Sequence, residues 1–287
     1  KKKNLPIYTR GDMLAHITSL KKNIVISGSH GKTTTTSLIA SIFGKAKLDP
    51  TIINGGVINS LENSAKLGKS EWCVLESDES DGSFVKVPST YAVVTNIDRE
   101  HMDYYKSLND LKKQFIKFML KVPSFGKTFV CLDDKNIRDI YKIGKIKNIL
   151  TYGFNNRSNF KIKNCSFKKN KSIFDVEMNL PNKKKFVLKK FVTPLIGFHN
   201  IKNATAAIAV SFFIGISPAI LKNSLKNFKG VERRFNKIFT YNGAEVFDDY
   251  AHHPTEIREV LDGVRNSYKK KKILCIFQPH RISRLND

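Results

Sequence analysis

Val25-Ile26-Ser27-Gly28-Ser29-His30-Gly31-Lys32-Thr33-Thr34-Thr35-Thr36 passes from a short apolar run through two glycines into Gly-Lys-Thr, and then into a helical pattern. This is the anatomy of a nucleoside-triphosphate site. Glycines let backbone amides close on phosphate oxygens, and the helix that follows presents its positive N-terminal end. Lys32 supplies a mobile cation, and the Thr33 hydroxyl suits magnesium. The common phosphate loop has a glycine five residues before the second one. Here that position is Ile26, and Gly28 stands only three residues before Gly31, so the loop is a shortened variant.

Outward from the loop, 287 residues with 41% hydrophobic content are enough for a substantial core and more than one domain. The net charge of +25, from 50 Lys and Arg against 25 Asp and Glu, raises a nucleic acid or an anionic membrane as a partner. The lysines are scattered in short groups (Lys1 to Lys3, Lys168 to Lys171, Lys183 to Lys185, Lys269 to Lys272) with no aromatic-basic stripe. They read as solvated faces, and neither nucleic acid nor membrane insertion is expected. Cys73, Cys131, Cys165 and Cys275 are widely separated, and all but Cys165 sit in apolar strand-like runs, as reduced buried thiols do. Together with the lack of an apolar stretch long enough to span a bilayer, this places the chain in the cytoplasm. The chain opens on Lys1 without a methionine and stops just after Arg284, so both ends read as cut.

Residues 24–142 alternate short apolar runs with helical patterns: Ile24 to Ser27, the helix after Lys32, Thr51 to Ile53, Trp72 to Leu75, Tyr91 to Thr95, a helix from Leu108 to Leu120, and Thr128 to Leu132. Such alternation predicts an α/β fold with a mostly parallel sheet, its site at the C-terminal ends of the strands. Between Phe160 and Phe191, β-rich pieces flank Pro181-Asn182 and predict a small antiparallel region. Helices follow after Gly197, with an Ala-rich part from Asn203 to Ile214, and at Pro218 to Phe228. Beyond a boundary near Gly230 come a hairpin at Asn242-Gly243, a helix from Pro254 to Ser267 and a strand from Lys272 to Phe277, the start of a further α/β unit.

Two more runs carry chemistry. Trp72 to Leu75 leads into Glu76-Ser77-Asp78-Glu79-Ser80-Asp81. A carboxylate at a strand end beside a phosphate loop can hold the magnesium that Thr33 shares, the alternative being a solvated acidic turn. Ala92 to Val94 leads into Thr95-Asn96-Ile97-Asp98-Arg99-Glu100-His101-Met102-Asp103. Among these acids His101 could serve a second metal or the transferred phosphoryl group, although a lone histidine is more often structural.

Together with Asn54-Gly55-Gly56 and the run from Asp248 through Tyr250, Ala251 and Pro254 to Glu256, these motifs resemble the Mur ligase superfamily of ATP-dependent amide-forming enzymes, in order through nearly the whole chain. The resemblance implies residues 1–23 as the exit from an N-terminal uridine-nucleotide domain, 24–230 as a central ATP-binding domain, and 231–287 as part of a Rossmann-like C-terminal domain. It implies ATP and Mg2+ as cofactors. Gly28, Ser29, His30, Gly31, Lys32, Thr33 and Thr34 would take the phosphates, and Thr33, Glu76 and His101 the metals. Asn200 and Asn203 would face the adenine, with helix capping as the alternative. Asp249 would take the ribose, and Arg234 would reach the γ phosphate, whereas Arg233 reads as a surface ion pair. Lys32, Glu76, His101 and Arg234 are the implied catalytic set. Asn54, His252, His253, Arg281 and Arg284 are implied for the groups being joined, although Pro254 also suits the two histidines to a helix start. The motif wording favours the branch that joins L-alanine to UDP-N-acetylmuramate. Its rivals are the branch that attaches a preformed tripeptide to the same nucleotide and, from another class, a nucleic-acid-binding P-loop ATPase.

Overall fold

The computed structural model describes residues 5–144, 146–168, 170–181 and 184–279. Helix α1 (Arg10–Thr18) leads into β1 (Lys22–Ser27) and α2 (Lys32–Lys45). Then come β2 (Thr51–Ile58), β3 (Asn63–Lys66), β4 (Trp72–Glu76), β5 (Tyr91–Val94), α3 (Leu108–Leu120), β6 (Lys127–Cys131), α4 (Lys135–Lys142) and β7 (Ile149–Gly153). Strands β8 (Phe160–Lys168), β9 (Lys171–Met178) and β10 (Phe186–Thr193) follow, then α5 (Phe198–Phe213) and α6 (Pro218–Lys226). The chain continues through β11 (Asn236–Tyr241), β12 (Ala244–Asp248) and α7 (Pro254–Ser267).

Ten strands form one sheet in the order β10-β9-β8-β7-β6-β5-β1-β4-β2-β3. Strand β1 lies between β4 and β5 and is parallel to both, which fixes the functional geometry. The loops that leave β1, β4 and β5 emerge side by side at one sheet edge, so the glycine loop is flanked by the acidic run on one side and the Asp98-to-His101 run on the other. Ile24, Val25, Ile26, Val74, Leu75, Val93 and Val94 are fully buried, the near-continuous apolar pattern of strands covered on both faces. Helix α2 packs against α5, whose Ala204, Ala206, Ala207 and Ala209 are fully buried and let the two helices approach closely.

The antiparallel region expected between Phe160 and Phe191 is present. It continues the main sheet, because β8 pairs parallel with β7 before β9 and β10 add antiparallel. Asn182 itself lies outside the described residues. The helix expected after Gly197, with its Ala-rich part from Asn203, starts at Phe198, where Gly197 turns the chain at φ 92°. A helix, α1, also lies within residues 1–23, capped by the Thr9 hydroxyl on the Asp12 amide.

The Asn242-Gly243 turn has φ 46° and 77°, the left-handed pair that a two-residue hairpin requires. The strand expected from Lys272 to Phe277 does not form. A strand exists by pairing, and among the described residues none lies alongside it, so Leu274 and Ile276 are 83% and 91% exposed. Cys275 is exposed with them, against expectation, whereas Cys73 and Cys131 are buried and burial pushes both thiols up to about 12. No helix among the described residues is long and apolar enough to cross a membrane.

Candidate active site

The loop between β1 and α2 bends at two left-handed glycines, Gly28 at φ 131° and Gly31 at φ 83°. Neither position has room for a side chain. A Cβ on Gly28 would stand 2.2 Å from Thr95 Oγ1, and one on Gly31 2.6 Å from Asn203 Oδ1. The β5 loop braces the turn. The Ser29 amide donates to the Asn96 carbonyl at 3.1 Å, the His30 amide to Asn96 Oδ1 at 2.9 Å, and the Thr95 hydroxyl to the His30 carbonyl at 2.7 Å.

Lys32 opens α2. Its ammonium donates to the Gly28 carbonyl at 2.7 Å and to Glu79 Oε2 at 2.8 Å, with Asp78 3.7 Å away. Burial works against this charge, but Glu79, Asp78 and Glu76 outweigh it and hold the ammonium above the ordinary lysine range. Glu79 is fully buried, and burial pushes its carboxyl up to about 7 against the pull of Lys32. Its backbone carbonyl accepts from the Tyr105 hydroxyl. On the neighbouring turn, Thr33 Oγ1 donates to Glu76 Oε1 at 3.2 Å, and Glu76 Oε2 accepts from the Gly55 amide at 2.8 Å. The hydroxyl and the carboxylate are hard oxygen donors side by side, the set magnesium prefers. His101 Nε2 lies 3.7 Å from Glu79 Oε1, and ligand atoms of Asp78, Glu79 and His101 all lie within 4.8 Å of one another, a second grouping able to hold a cation.

Two cavities meet at the loop and share Gly31, Arg234 and Glu256 in their walls. One, of about 420 Å³, is lined by Thr34, Asn200, Asn203 and Asp249. Asn200 Nδ2 donates to the Ile196 carbonyl at 2.8 Å and Asn203 Nδ2 to Asn200 Oδ1 at 3.3 Å, so both asparagines also brace the first turns of α5. Asp249 accepts from the amides of Phe235 and Ala251 at 2.8 and 2.7 Å, and burial raises its carboxyl above the ordinary range. The other cavity, of about 870 Å³, is lined by Ser29, Lys32, Thr33, Asn54, Glu76, His101 and His252 among others. Asn54 donates to Ser37 Oγ at 2.9 Å and to the Gly56 carbonyl at 2.8 Å.

Residues from beyond Gly230 thus reach the same edge. The Glu232 amide donates to the Val57 carbonyl at 3.0 Å and ties that segment to β2. Arg234 Nη1 stands 3.8 Å from Glu256 Oε1, and its guanidinium lies 5.5 Å from the Tyr250 ring. Arg233 pairs with Asp248 at 3.3 Å, the surface contact expected of it, while also lining the larger cavity. His253 is the N-cap of α7 and accepts from the Thr255 amide, ahead of Pro254. His252 Nδ1 is 2.8 Å from the Tyr250 carbonyl. Arg281 and Arg284 lie outside the described residues.

Five acids stand in the site without having been singled out in the sequence: Asp78, Glu79, Asp98, Glu100 and Glu256. His30 Nε2 is 3.1 Å from Asp98 Oδ2, and His30 Nδ1 is 3.4 Å from Glu256 Oε1. The only sequence signal for them was membership of motif runs.

A glycine loop joining the central strand of a parallel sheet to a helix, with acid-tipped neighbours on both sides, is the architecture of the P-loop class of α/β proteins. The chain belongs to the Mur ligase family: residues 26–211 match the Mur ligase middle domain, and residues 233–286 match the Mur ligase, glutamate ligase domain. It is 66% identical over its whole length to the UDP-N-acetylmuramate–L-alanine ligase of Pelagibacter ubique, and 44% identical to that of Agrobacterium fabrum. It spans 62% and 61% of those two relatives. Among solved structures, the UDP-N-acetylmuramate-alanine ligase MurC of Thermotoga maritima superposes with a TM-score of 0.79 at 28% identity, over 94% of this chain and 60% of that one. A murein peptide ligase from Psychrobacter arcticus gives 0.73 at 26%, over 98% and 62%.

Proposed function

We propose that this chain is the nucleotide-activating part of an ATP-dependent ligase that joins L-alanine to the carboxylate of UDP-N-acetylmuramate. The observation that carries the reading is that Lys32, Glu76 and Arg234, from three separate stretches of the chain, line one cavity beside the glycine loop. The identity to alanine-adding relatives supports the choice of substrates. On this reading residues 24–230 bind ATP and residues 231–287 serve the amino-acid side.

The smaller cavity takes the nucleoside, with Asn200 and Asn203 toward the base and Asp249 toward the ribose. Gly28, Ser29, His30, Gly31 and Thr34 shape the loop around the phosphates, and Lys32 and Arg234, which line one cavity, serve the γ phosphate. Thr33 and Glu76 would hold one magnesium, and His101, with Asp78 and Glu79 beside it, a second. Bound there, the ions would neutralise charge on the phosphate oxygens. Asn54 and His252 line the larger cavity and serve the acceptor side, with His253, Arg281 and Arg284 assigned there from the motif alone.

A carboxylate is a poor acylating agent, so its oxygen first attacks the γ phosphorus, and the bond to the β–γ bridging oxygen breaks to release ADP. The neutral alanine amine then attacks the acyl carbon, phosphate departs with the former carboxylate oxygen, and the amine proton goes to solvent. Lys32 and Arg234 act by position and charge and need not exchange protons.

The test follows phosphate release by the complete gene product with ATP, magnesium and UDP-N-acetylmuramate, offering alanine, glycine, serine or the L-alanyl tripeptide. Alanine is expected to give the highest kcat/KM. Preference for the tripeptide would assign the recycling reaction, and release independent of the muramyl nucleotide would overturn both.

A further inference from the structure

Several contacts in the site join parts of the chain that are remote in sequence. Thr255 Oγ1 donates to Asp98 Oδ2 at 2.7 Å across 157 positions. His30 reaches that same carboxylate with one ring nitrogen and Glu256 with the other, and its ring lies 4.8 Å from the His253 ring, centroid to centroid. Glu256 also stands 3.8 Å from Arg234 and 3.7 Å from His252. His30 belongs to the phosphate loop and Asp98 to the β5 loop, whereas His253, Thr255 and Glu256 begin α7. Farther along, α7 rests on the start of α5, where a Cβ on Gly263 would meet Gly197 Cα at 3.0 Å and Glu259 stands 3.6 Å from His199 and 3.7 Å from Lys202. The helix is thus seated at its middle and pinned at its N-terminus.

We propose that His30 is a positioning residue, the hub of a latch through which the phosphate loop holds the start of α7 and so sets Arg234 over the larger cavity. The inference goes beyond the ligase reading, because the latch is a property of the chain whatever is joined. Three carboxylates face the ring: Asp98 and Glu100 from the β5 loop and Glu256 from α7. Without the imidazolium they would repel one another at a site largely removed from water, and α7 would swing away on its Gly263 seat.

The latch is therefore pH-sensitive. Burial disfavours the charged ring, but Asp98, Glu256 and Glu100 overcome this and carry His30 from 6.5 up to about 9. A raised histidine pKa contributes its full stabilisation below the unfolded value of 6.5 and loses it as pH rises through about 9. Of the facing groups, His253 is held below the ordinary range by burial and by His30 itself, so it does not replace the lost charge.

The test is a distance distribution between spin labels at K45C, on the end of α2, and T240C, exposed on β11, in the full chain with Cys165 and Cys275 replaced by serine. At pH 7.5 one short distance is expected, giving way to longer ones with a midpoint near the His30 value of about 9. His30→Gln is expected to lower the closed-to-open ratio about tenfold at pH 7.5 and to abolish the pH step. Adding Glu256→Gln removes one of the repelling carboxylates and is expected to restore part of the closed population. A wild-type distribution in His30→Gln, or no change in the wild type through pH 10, overturns the proposal. Should His30→Gln not fold, Thr255→Ala carries the test: it must widen the distribution while melting cooperatively, and an unchanged distribution is equally fatal. The labels report without any ligase turnover, so a failure here is distinct from a failure of the functional reading.

Discussion

Lys32→Ala is expected to abolish ATP-dependent phosphate release, cutting kcat/KM by about 10²–10³ or more, equivalent to about 2.7–4 kcal/mol of transition-state stabilisation. The ammonium opens α2 beside two left-handed glycines and is aimed into the cavity that also holds Glu76 and Arg234. The same substitution strands Glu79, which is fully buried and 2.8 Å from the ammonium. An unpaired buried charge costs about 3–5 kcal/mol of stability, so a dead Lys32→Ala enzyme could simply be an unfolded one. The two effects separate in Lys32→Ala/Glu79→Gln. An amide in place of the carboxylate is expected to return most of the lost stability in urea unfolding, while phosphate release stays absent. Recovery of turnover in the double variant would mean that Lys32 serves only to neutralise Glu79.

Gly28→Ala should be nearly as damaging, by another route. The new methyl group would sit 2.2 Å from Thr95 Oγ1 and 2.9 Å from the Asn96 carbonyl oxygen, at a φ of 131° that L residues rarely adopt. Backbone strain of this kind costs about 1–3 kcal/mol, and relief of the clash must displace the β5 loop that braces Ser29 and His30. Calorimetric titration with MgATP is expected to show affinity reduced at least about tenfold, together with a lower Tm. Gly44→Ala is the control. Nothing lies within 4 Å of its added Cβ, the position is inside α2, and alanine there should stabilise by about 0.4–1 kcal/mol without touching nucleotide affinity.

The contrast between these glycines shows which parts of the fold were legible in the sequence. Gly28 and Gly31 interrupt an apolar run just before Lys-Thr, so local pattern alone places a strand, a tight turn and a helix. The alternation that follows puts the Glu76 and His101 runs at the C-terminal ends of parallel strands, whereas their flanking of β1 is set by pairing, and Asn242-Gly243 announces its own turn. Helix α1 was hidden because its support is remote: Gly11 packs on Ser83, and Lys86 pairs with Asp12 at 2.7 Å. The run from Lys272 to Phe277 has a strand's composition, but pairing is a tertiary condition and no partner lies beside it among the described residues.

The site divides in the same way. Thr33 and Glu76 stand at strand and helix ends, where the motif puts them. Glu79 is one acid in a run of four and differs from Asp78 and Asp81 only in burial, which Lys32 and Tyr105 decide from elsewhere in the chain. Nor could spacing foretell His30. As a loop residue it reads as part of a phosphate cradle, yet its side chain is held by Asp98 and Glu256, which are brought together only by the fold.

If ATP activates the muramyl carboxylate by direct phosphorylation, a carboxylate oxygen must leave with the phosphate. The most direct test uses UDP-N-acetylmuramate labelled with oxygen-18 in the carboxylate, with the complete gene product, MgATP and alanine, and mass analysis of the released phosphate. One labelled oxygen is expected in each phosphate formed, because the acyl-phosphate bridge leaves with phosphorus when the amine attacks. Unlabelled phosphate, or label recovered in AMP, would contradict direct phosphorylation.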